Sequence, residues 1–382
     1  MTDAPMTASA STATAGEVLS RYLTEQAGNF LRALPQAVGE AGARPGTLPS
    51  LNSPAVSPSA GPAGTGELLR AVRRIGGALH TFGSLFDPSW AEESRAELRW
   101  LLNLLAQEPA LLRRSARLLT ALDTLSATDR AGEAGGPGML AGHQGAPKAR
   151  ALLDRQLTLA RTRAHSAVLQ ELRSARLHAL ADRMTLLVGE APLLAPAGGR
   201  VAEVLLPQAE VAFGALVGAV QALPLQRAAT AYQGDALHRL GPAVVKSSGA
   251  PVPSQGRSAV AGGAGAGDAD SALAADDAPW HRVRILVKRA RYAGEVCGRS
   301  GRELEGLDQV LDRHQEAADA AVTAATAART PRITPATAYV LGVVHADQRL
   351  EVEAARYAFG CQWPSLSFGL DGWEGSPAPR MA

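Results

Sequence analysis

The sequence has few cysteines and few aromatic residues, and each shortage narrows the class of protein. Only two cysteines, Cys297 and Cys361, occur in 382 residues. Two are too few for a disulfide framework or for the cysteine spacing of a zinc site, and free thiols are typical of a reducing cytosol. Aromatic residues make up 4% of the chain although 46% is hydrophobic. The core is therefore expected to consist mostly of Ala, Leu and Val.

Signals for a leader or a membrane span are also missing. The opening residues, MTDAPMTASASTATAGE, have neither a basic start nor an apolar run, so no signal peptide is predicted. The most apolar window is 201–225. It is interrupted by four polar or charged residues and one proline: Glu203, Pro207, Gln208, Glu210 and Gln221. We therefore predict no membrane segment and expect a cytoplasmic location.

No stretch alternates apolar and polar residues at the period of a β-strand, whereas apolar residues recur at helical spacing along much of the chain. The sequence therefore predicts an all-α protein. We expect helices over 16–34, 67–86, 87–107, 109–126, 148–188 (one helix or two), 201–222, 280–302, 303–328 and 335–359. Asp87, Pro88 and Ser89 form a start signal for the third helix. The helix over 201–222 is apolar on nearly every side, which predicts a central position.

Stretches rich in Pro, Gly and Ser divide the chain. They predict a disordered arm over 1–14, one helical domain over 15–363 and a tail over 364–382. Inside the domain, flexible loops are expected over 36–64, 127–147 and 241–279.

Positive charge is concentrated in one predicted helix, WHRVRILVKRARYAGEV over 280–296, which has five Lys or Arg and one acidic residue. At helical spacing, His281, Arg284, Lys288 and Arg291 share one stripe, with Tyr292 beside it. The opposite face is apolar. Like charges four residues apart destabilise a helix by a few tenths of a kcal/mol, so the row calls for an explanation. It is either a solvated face or a surface that binds a polyanion, since ammonium and guanidinium groups pair well with phosphate oxygens.

This stretch resembles the second signature helix of CHAD domains, the conserved histidine α-helical domain family. That helix reads H-x-x-R-x-x-x-K-R-x-R-Y-x-x-E, and the matching residues are His281, Arg284, Lys288, Arg289, Arg291, Tyr292 and Glu295. The segment LDQVLDRHQEAA (307–318) is similar to the family's L-Q-x-x-L-G-x-x-x-D, with Glu316 where Asp is usual. Weaker similarities cover the opening helix, the last helix over 341–359 and a Ser-x-Arg motif at Ser174 and Arg176.

The resemblance implies an all-helical fold of two halves, about 15–222 and about 226–363, related by an internal repeat around a basic cavity. It also implies that the ligand is inorganic polyphosphate and that the protein is associated with polyphosphate granules. Aligning residues 66–79 with 281–294 tests the repeat. Arg73 then meets Lys288 and Arg74 meets Arg289, but three other motif positions are eroded. These are Gly66, Leu69 and Gly76; Pro109 and Ala110 also stand where the family commonly has Arg-Asp.

We therefore predict that the protein binds polyphosphate through a basic helical groove without catalysis and without a cofactor. The direct contacts are expected from the stripe, His281, Arg284, Lys288 and Arg291, with Tyr292 orienting a cation or donating its hydroxyl. Arg73 and Arg74 would face them, and Arg289 and Arg176 could contribute. His314 lies in a matched segment, and either faces the cavity or is an ordinary surface histidine.

Other functional patterns are weaker. GGAGAGDADS (262–271) imitates a phosphate-binding glycine loop, but no strand precedes it and a linker is favoured. The histidines have no metal-ligand spacing, and no nucleophile–base set is found, so an enzyme is not predicted. Two rival functions remain: a binder of nucleic-acid phosphates, for which exposed aromatic residues are few, and a helical protein-interaction module that has lost its ligand. The eroded positions favour the second rival.

Overall fold

A computed structural model describes residues 13–42, 63–127, 138–228, 266–299 and 301–365. In these ranges the chain is helical and forms no β-strand, apart from two isolated bridges, Thr14–Arg200 and Phe86–Leu193. The all-α prediction is confirmed. The predicted arm up to residue 12, the tail beyond residue 365 and the interior of the three predicted loops lie outside the described residues.

The helices are α1 (Ala15–Gly42), α2 (Ala63–Thr81), α3 (Pro88–Ser126), α4 (Ala146–Glu171), α5 (Ala175–Gly189), α6 (Val201–Gln221), α7 (Leu225–Ala228), α8 (Ala266–Val296), α9 (Arg302–Ala328) and α10 (Pro335–Gln362). The predicted start signal of α3 is confirmed, because the Asp87 carboxylate accepts a hydrogen bond from the backbone N–H of Trp90 at 2.9 Å. Ser174 caps α5 and Thr334 caps α10 in the same way. Such caps satisfy backbone donors that the first helical turn leaves free.

Three helices are longer than the sequence pattern predicted. α1 passes Pro35 and ends at Gly42, and α3 continues through Pro109 as one helix where two were expected. A proline removes one backbone hydrogen bond, but buried apolar residues on both sides of each proline keep the helix packed. α8 begins at Ala266 inside the predicted linker 241–279. Its first turns are rich in alanine, the best helix former.

The buried residues form three main clusters. The first joins α1, α2, the first half of α3 and α5, with Phe30, Ile75 and Phe82 fully buried. The second joins the end of α6 to α8, the start of α9 and the end of α10, around Trp280 and Phe359. The third packs the second half of α3 and most of α4 against α9 and α10. The predicted halves therefore interlock, since α3 and α4 extend from the first half into the second.

The predicted central position of α6 is wrong. The helix buries one face, at Leu205, Ala209, Leu216 and Val220, whereas Val211 is 74% exposed. Among the described helices, α6 is long and apolar enough to cross a membrane, but only 17% of that window is buried inside the protein. A single helix with these properties is weak evidence for a span.

Helices α2 and α8 cross closely where the two halves meet. A Cβ atom added at Gly77 of α2 would lie 2.7 Å from Cδ2 of the Tyr292 ring on α8, whereas one added at Gly76 would meet no atom within 4 Å. Tyr292 is buried at 6% exposure, so its ring has little room to move. The crossing therefore requires glycine at 77 but not at 76.

We predict opposite effects for alanine at these neighbouring positions. Gly77→Ala should lower the free energy of unfolding by about 1–3 kcal/mol, because the methyl group overpacks the contact with Tyr292. Gly76→Ala should raise it by up to ~1 kcal/mol, because alanine is the better helix former and the space is open. Urea unfolding of the two variants measures the difference, and two effects of the same sign would contradict the close crossing.

Candidate functional site

Helix α8 has the two-faced arrangement that its sequence predicts. Val283, Leu286, Val287, Ala290 and Ala293 are all buried on one side. The cations of the stripe lie on the other side, toward α9 and toward the space between the two halves. The apolar face fixes the helix in the core and thereby holds the cations in place.

The cations of α8 carry counter-charges, which corrects the expectation that the row is unneutralised. Arg284 Nε donates to Asp312 of α9 at 2.5 Å, and Lys288 Nζ donates to the same carboxylate at 3.1 Å. Lys288 also bonds Asp308, and Arg291 Nη1 donates to Asp308 at 3.1 Å. Apart from Glu295 near the end of α8, which approaches Arg291 at 3.7 Å, these counter-charges come from the neighbouring helix. A pattern confined to one helix does not show them.

The side chain of Asp312 is 42% exposed, and its pKa still responds to the two cations it pairs with. Burial alone would raise the pKa of this carboxyl group, but Arg284 and Lys288 outweigh burial and hold the pKa below its ordinary value. Asp312 is therefore ionised near neutral pH and binds both cations. A ligand that takes over these cations has to compete with the carboxylate.

Glu295, the last residue of the matched motif, connects the halves. Its carboxylate accepts hydrogen bonds from Arg74 Nε of α2 at 2.8 Å and from the Tyr22 hydroxyl of α1 at 3.3 Å. Arg74 thus holds α2 to α8 and does not line either cavity described below. Tyr22 keeps its hydroxyl proton, because burial and then the Glu295 charge raise its pKa.

A groove lies between α2, α3, α8 and α9 and consists of two adjoining cavities. We call the first, of about 400 Å³, the arginine cavity; the charged and histidine side chains on its wall are Arg73, His80, Arg95, Arg99, Arg284, Lys288 and Arg289. We call the second, of about 470 Å³, the mixed cavity; its charged wall comprises Arg70, Arg73, Arg113, Arg114, Arg284, Lys288, Asp312, Glu316 and Asp319. Both cavities share Arg73, Arg284 and Lys288. A linear ligand can therefore follow one continuous path past these three residues.

The arginine cavity carries excess positive charge. No carboxylate of the described residues lines it, and within the described part of the chain Arg73, Arg99 and Arg289 form no ion pair. Burial, followed by the charge of Arg99, lowers the pKa of Arg289. Burial and the nearby arginines likewise lower the pKa of His80, so this histidine is neutral at pH 7. Both shifts are those expected where cations lack counter-charges.

The predicted site residues are only partly brought together. Arg73, Arg284, Lys288, Arg289 and Tyr292 line the groove, the last with its hydroxyl accepting from Arg291 Nη2 at 3.2 Å. Arg291 itself and Arg74 lie outside the lining of both cavities, held by carboxylates. Arg176 lies elsewhere, stacked 4.2 Å above the Trp100 ring and bonded to Glu97. The eroded positions Gly66, Leu69, Gly76, Pro109 and Ala110 all line the groove.

The buried His314 and the half-buried His281 lie outside the lining of both cavities. Their rings meet edge to face with centroids 5.6 Å apart, and His314 is 1% exposed. His314 accepts a hydrogen bond from Arg356 Nε at 3.2 Å, and burial followed by the charge of Arg356 lowers its pKa well below the ordinary value. Burial also lowers the pKa of His281. Both histidines are therefore neutral at pH 7, and neither lines the groove; His314 belongs to the core.

Arg356 belongs to a buried charge network that the sequence did not reveal. Asp277 of α8 accepts from Arg356 Nη2 at 2.6 Å and from both terminal nitrogens of Arg349 at 2.7 and 3.1 Å. Asp276 pairs with Arg356 from the outer side at 2.6 Å. These two aspartates lie in the helical turns that the sequence pattern assigned to a linker, so their role could not be seen without the true start of α8.

Sequence reasoning also missed the contribution of α3 to the groove. Arg95 and Arg99 are four residues apart and line the arginine cavity, while Arg113 and Arg114 line the mixed cavity. His80 follows Arg73 by two helical turns on α2 and lines the same wall. The sequence feature that could have identified this contribution is the spacing of Arg95 and Arg99, which places both on one helix face. Within the described ranges, no cluster of His, Cys, Asp or Glu suits a metal ion.

Comparisons with known proteins agree with this architecture. The family model of the CHAD domain matches residues 52–328, and the chain belongs to this family. The solved structure "PptA from Streptomyces chartreusis" is 40% identical, with a TM-score of 0.67 over 92% of this chain and 100% of that chain. The structure of the CHAD domain from the plant Ricinus communis is 19% identical, with a TM-score of 0.50 over 94% of this chain and 97% of that chain; at this identity it supports the fold alone. No curated protein matches the sequence.

The buried network generates a stability prediction. Asp277→Asn should lower the free energy of unfolding by about 3 kcal/mol, because two buried guanidinium groups lose their shared counter-charge. Asp276→Asn is the matched control: its side chain is 33% exposed, and the loss should be about 1 kcal/mol or less. Urea unfolding followed by tryptophan fluorescence measures both. Equal losses would mean that Asp277 does not carry the network.

Proposed function

We propose that this protein binds inorganic polyphosphate in the groove between its two halves and does not catalyse a reaction of the polyphosphate. Membership of the CHAD family supports this ligand, because polyphosphate is the ligand that the family resemblance implies. The observation that carries the proposal is the continuity of the groove: Arg73, Arg284 and Lys288 line both cavities. Successive phosphates of one chain can thus meet cations along the whole path.

The charge pattern supports a polyanion over a single small anion. Arg73 has no ion pair within the described residues and is open to a phosphate at once. Arg284 and Lys288 are bound to Asp312, so phosphate has to displace or share that carboxylate. Charge-assisted bonds from guanidinium to phosphate are strong and often bidentate. A chain with many charges can gain enough such bonds to compete.

A nucleic acid suits the groove less well. Binding of single strands draws on exposed aromatic side chains on which bases stack. The one aromatic residue that lines the described groove, Tyr292, is buried at 6% exposure and packs on Gly77. Phosphate recognition without base stacking favours the inorganic chain.

The adjacent arginines of α2 offer a matched test. Arg73→Gln should weaken polyphosphate binding roughly 10-fold or more, since a charge-assisted bond contributes about 1.5–3 kcal/mol. Arg74→Gln removes the same charge at the next position, but Arg74 faces Glu295 and not the groove. It should leave the affinity within about 2-fold of the parent, as exposed or paired charges elsewhere contribute little. Isothermal titration with long-chain polyphosphate, after a check of helix content, measures both. Equal losses for the two variants would contradict the groove as the binding site.

The competition by Asp312 generates a second test. Asp312→Asn should increase polyphosphate affinity several-fold, because Arg284 loses its carboxylate partner and Lys288 keeps only Asp308, so both cations become more available to phosphate. Glu303→Gln on the same helix changes net charge equally, but Glu303 is exposed and lines neither cavity. A titration at fixed salt in which both variants gain equally would show a general charge effect, and unchanged or weaker binding by the Asp312 variant would contradict the competition.

A further inference from the structure

The wall of the arginine cavity contains more than cations. Val72, Leu98, Leu102 and Ala106 line it together with Ile285 of α8. Ile285 is 47% exposed and lies on the side of α8 that faces the cavity. Inorganic polyphosphate has no carbon and gains nothing from contact with this wall. Val72 and Leu98 are buried in the core, but the more accessible part of the wall, at Leu102, Ala106 and Ile285, is unexplained by the proposed function.

The arginine cavity also has positive charge that is not neutralised by the described residues. Arg99 and Arg289 have no ion pair within the described part of the chain, and the two lie close enough for the charge of Arg99 to lower the pKa of Arg289. An anionic group placed between them would remove this repulsion and accept hydrogen bonds from both guanidinium groups. The mixed cavity differs, because Asp312, Glu316 and Asp319 lie on its wall.

The dimensions also fit a discrete ligand. A volume of about 400 Å³ lies in the range of roughly 300–1,000 Å³ in which proteins bind small molecules. Such sites typically combine an apolar wall with a few placed polar groups. The arginine cavity has this composition, with apolar residues from α2, α3 and α8 beside the two unpaired arginines.

We propose that the arginine cavity binds a small organic anion, with its phosphate or carboxylate group between Arg99 and Arg289 and its apolar body against Ile285 and Leu102. The neighbouring mixed cavity remains available to the polyphosphate chain. The two ligands would then meet at Arg73, Arg284 and Lys288, the residues that both cavities share. This inference concerns a second ligand and does not require that polyphosphate binding be correct.

The apolar contribution is measured with two probes that carry the same head group. Phenyl phosphate and inorganic phosphate are titrated into the full chain at one pH and one salt concentration. Phenyl phosphate should bind roughly 10-fold tighter or more, because its ring is exposed to water in solution and its apolar surface becomes buried in the cavity. Benzoate in place of phenyl phosphate then shows whether the cavity accepts a carboxylate head group equally well. Equal affinities for phenyl phosphate and inorganic phosphate would overturn the proposal.

A pair of serine variants locates the site. Ile285→Ser should lower phenyl phosphate affinity roughly 3- to 10-fold and leave inorganic phosphate affinity unchanged, since it removes apolar surface and no charge. Val322→Ser is the control, because Val322 on α9 is 59% exposed and lines neither cavity. Arg99→Gln should weaken both probes. Equal effects of Ile285→Ser and Val322→Ser on phenyl phosphate would place the probe outside the cavity and overturn the assignment.

Polyphosphate titrations of the same variants separate the two proposals. Val322→Ser, which changes neither cavity, should bind polyphosphate as the parent does. If the parent binds polyphosphate but does not distinguish phenyl phosphate from phosphate, the organic-anion site fails and the proposed function stands. If the parent prefers phenyl phosphate but does not bind polyphosphate, the proposed function fails and the cavity assignment stands.

Discussion

Two carboxylates of α9, Asp308 and Asp312, neutralise a row of cations that α8 could not carry alone. Each accepts bonds from two cations of α8, so the like-charge repulsion along that helix is balanced by its neighbour. The pairing fixes α8 on α9 and orients the cations that border the groove. The cations bonded to α9 are partly neutralised. Among the described residues, Arg73, Arg99 and Arg289 line the arginine cavity without an ion pair.

This distribution divides the groove into two chemical environments. One end mixes cations with carboxylates, and the other combines unpaired arginines with an apolar wall. In the segment pattern that residues 307–318 resemble, Gln and Gly stand where this chain has Asp308 and Asp312. The neutralising carboxylates are thus a feature of this sequence beyond the general pattern. A groove with both environments is suited to a ligand, or a pair of ligands, less uniform than a bare phosphate chain.

Much of the fold could be predicted from the sequence because helical periodicity and capping are local. Asp87 caps α3, and the apolar face of α8 is buried, as the spacing of their residues predicts. The ends of the helices were harder to predict. Pro35 and Pro109 were interpreted as breaks, yet both lie within helices, because packing on both sides outweighs the loss of one hydrogen bond. The helical start of α8 was hidden by its alanine-rich, linker-like composition.

The site was less predictable because its residues come from four helices distant in sequence. Periodicity placed Arg284 and Lys288 on one stripe, but it could not show that Asp312 faces them or that Arg99 approaches Arg289 from α3. His281 and His314 lie in segments that match the family pattern, yet neither lines the groove, and His314 is buried in the core. Matching a motif identifies residues that matter to the fold or to the ligand, and only their three-dimensional neighbours distinguish the two roles.

The most direct test of this account is the salt dependence of polyphosphate binding to the unmodified protein. Each cation that neutralises a phosphate releases a counter-ion, and a flexible single chain contributes about 0.7 to the slope per contact. The three groove cations without an ion pair among the described residues predict a slope of log K against log salt of about −2, and displacement of Asp312 from Arg284 and Lys288 would make it steeper, toward about −3.5. Titrations at several salt concentrations give the slope. A value near zero, or no binding at low salt, would contradict a polyanion site in the groove.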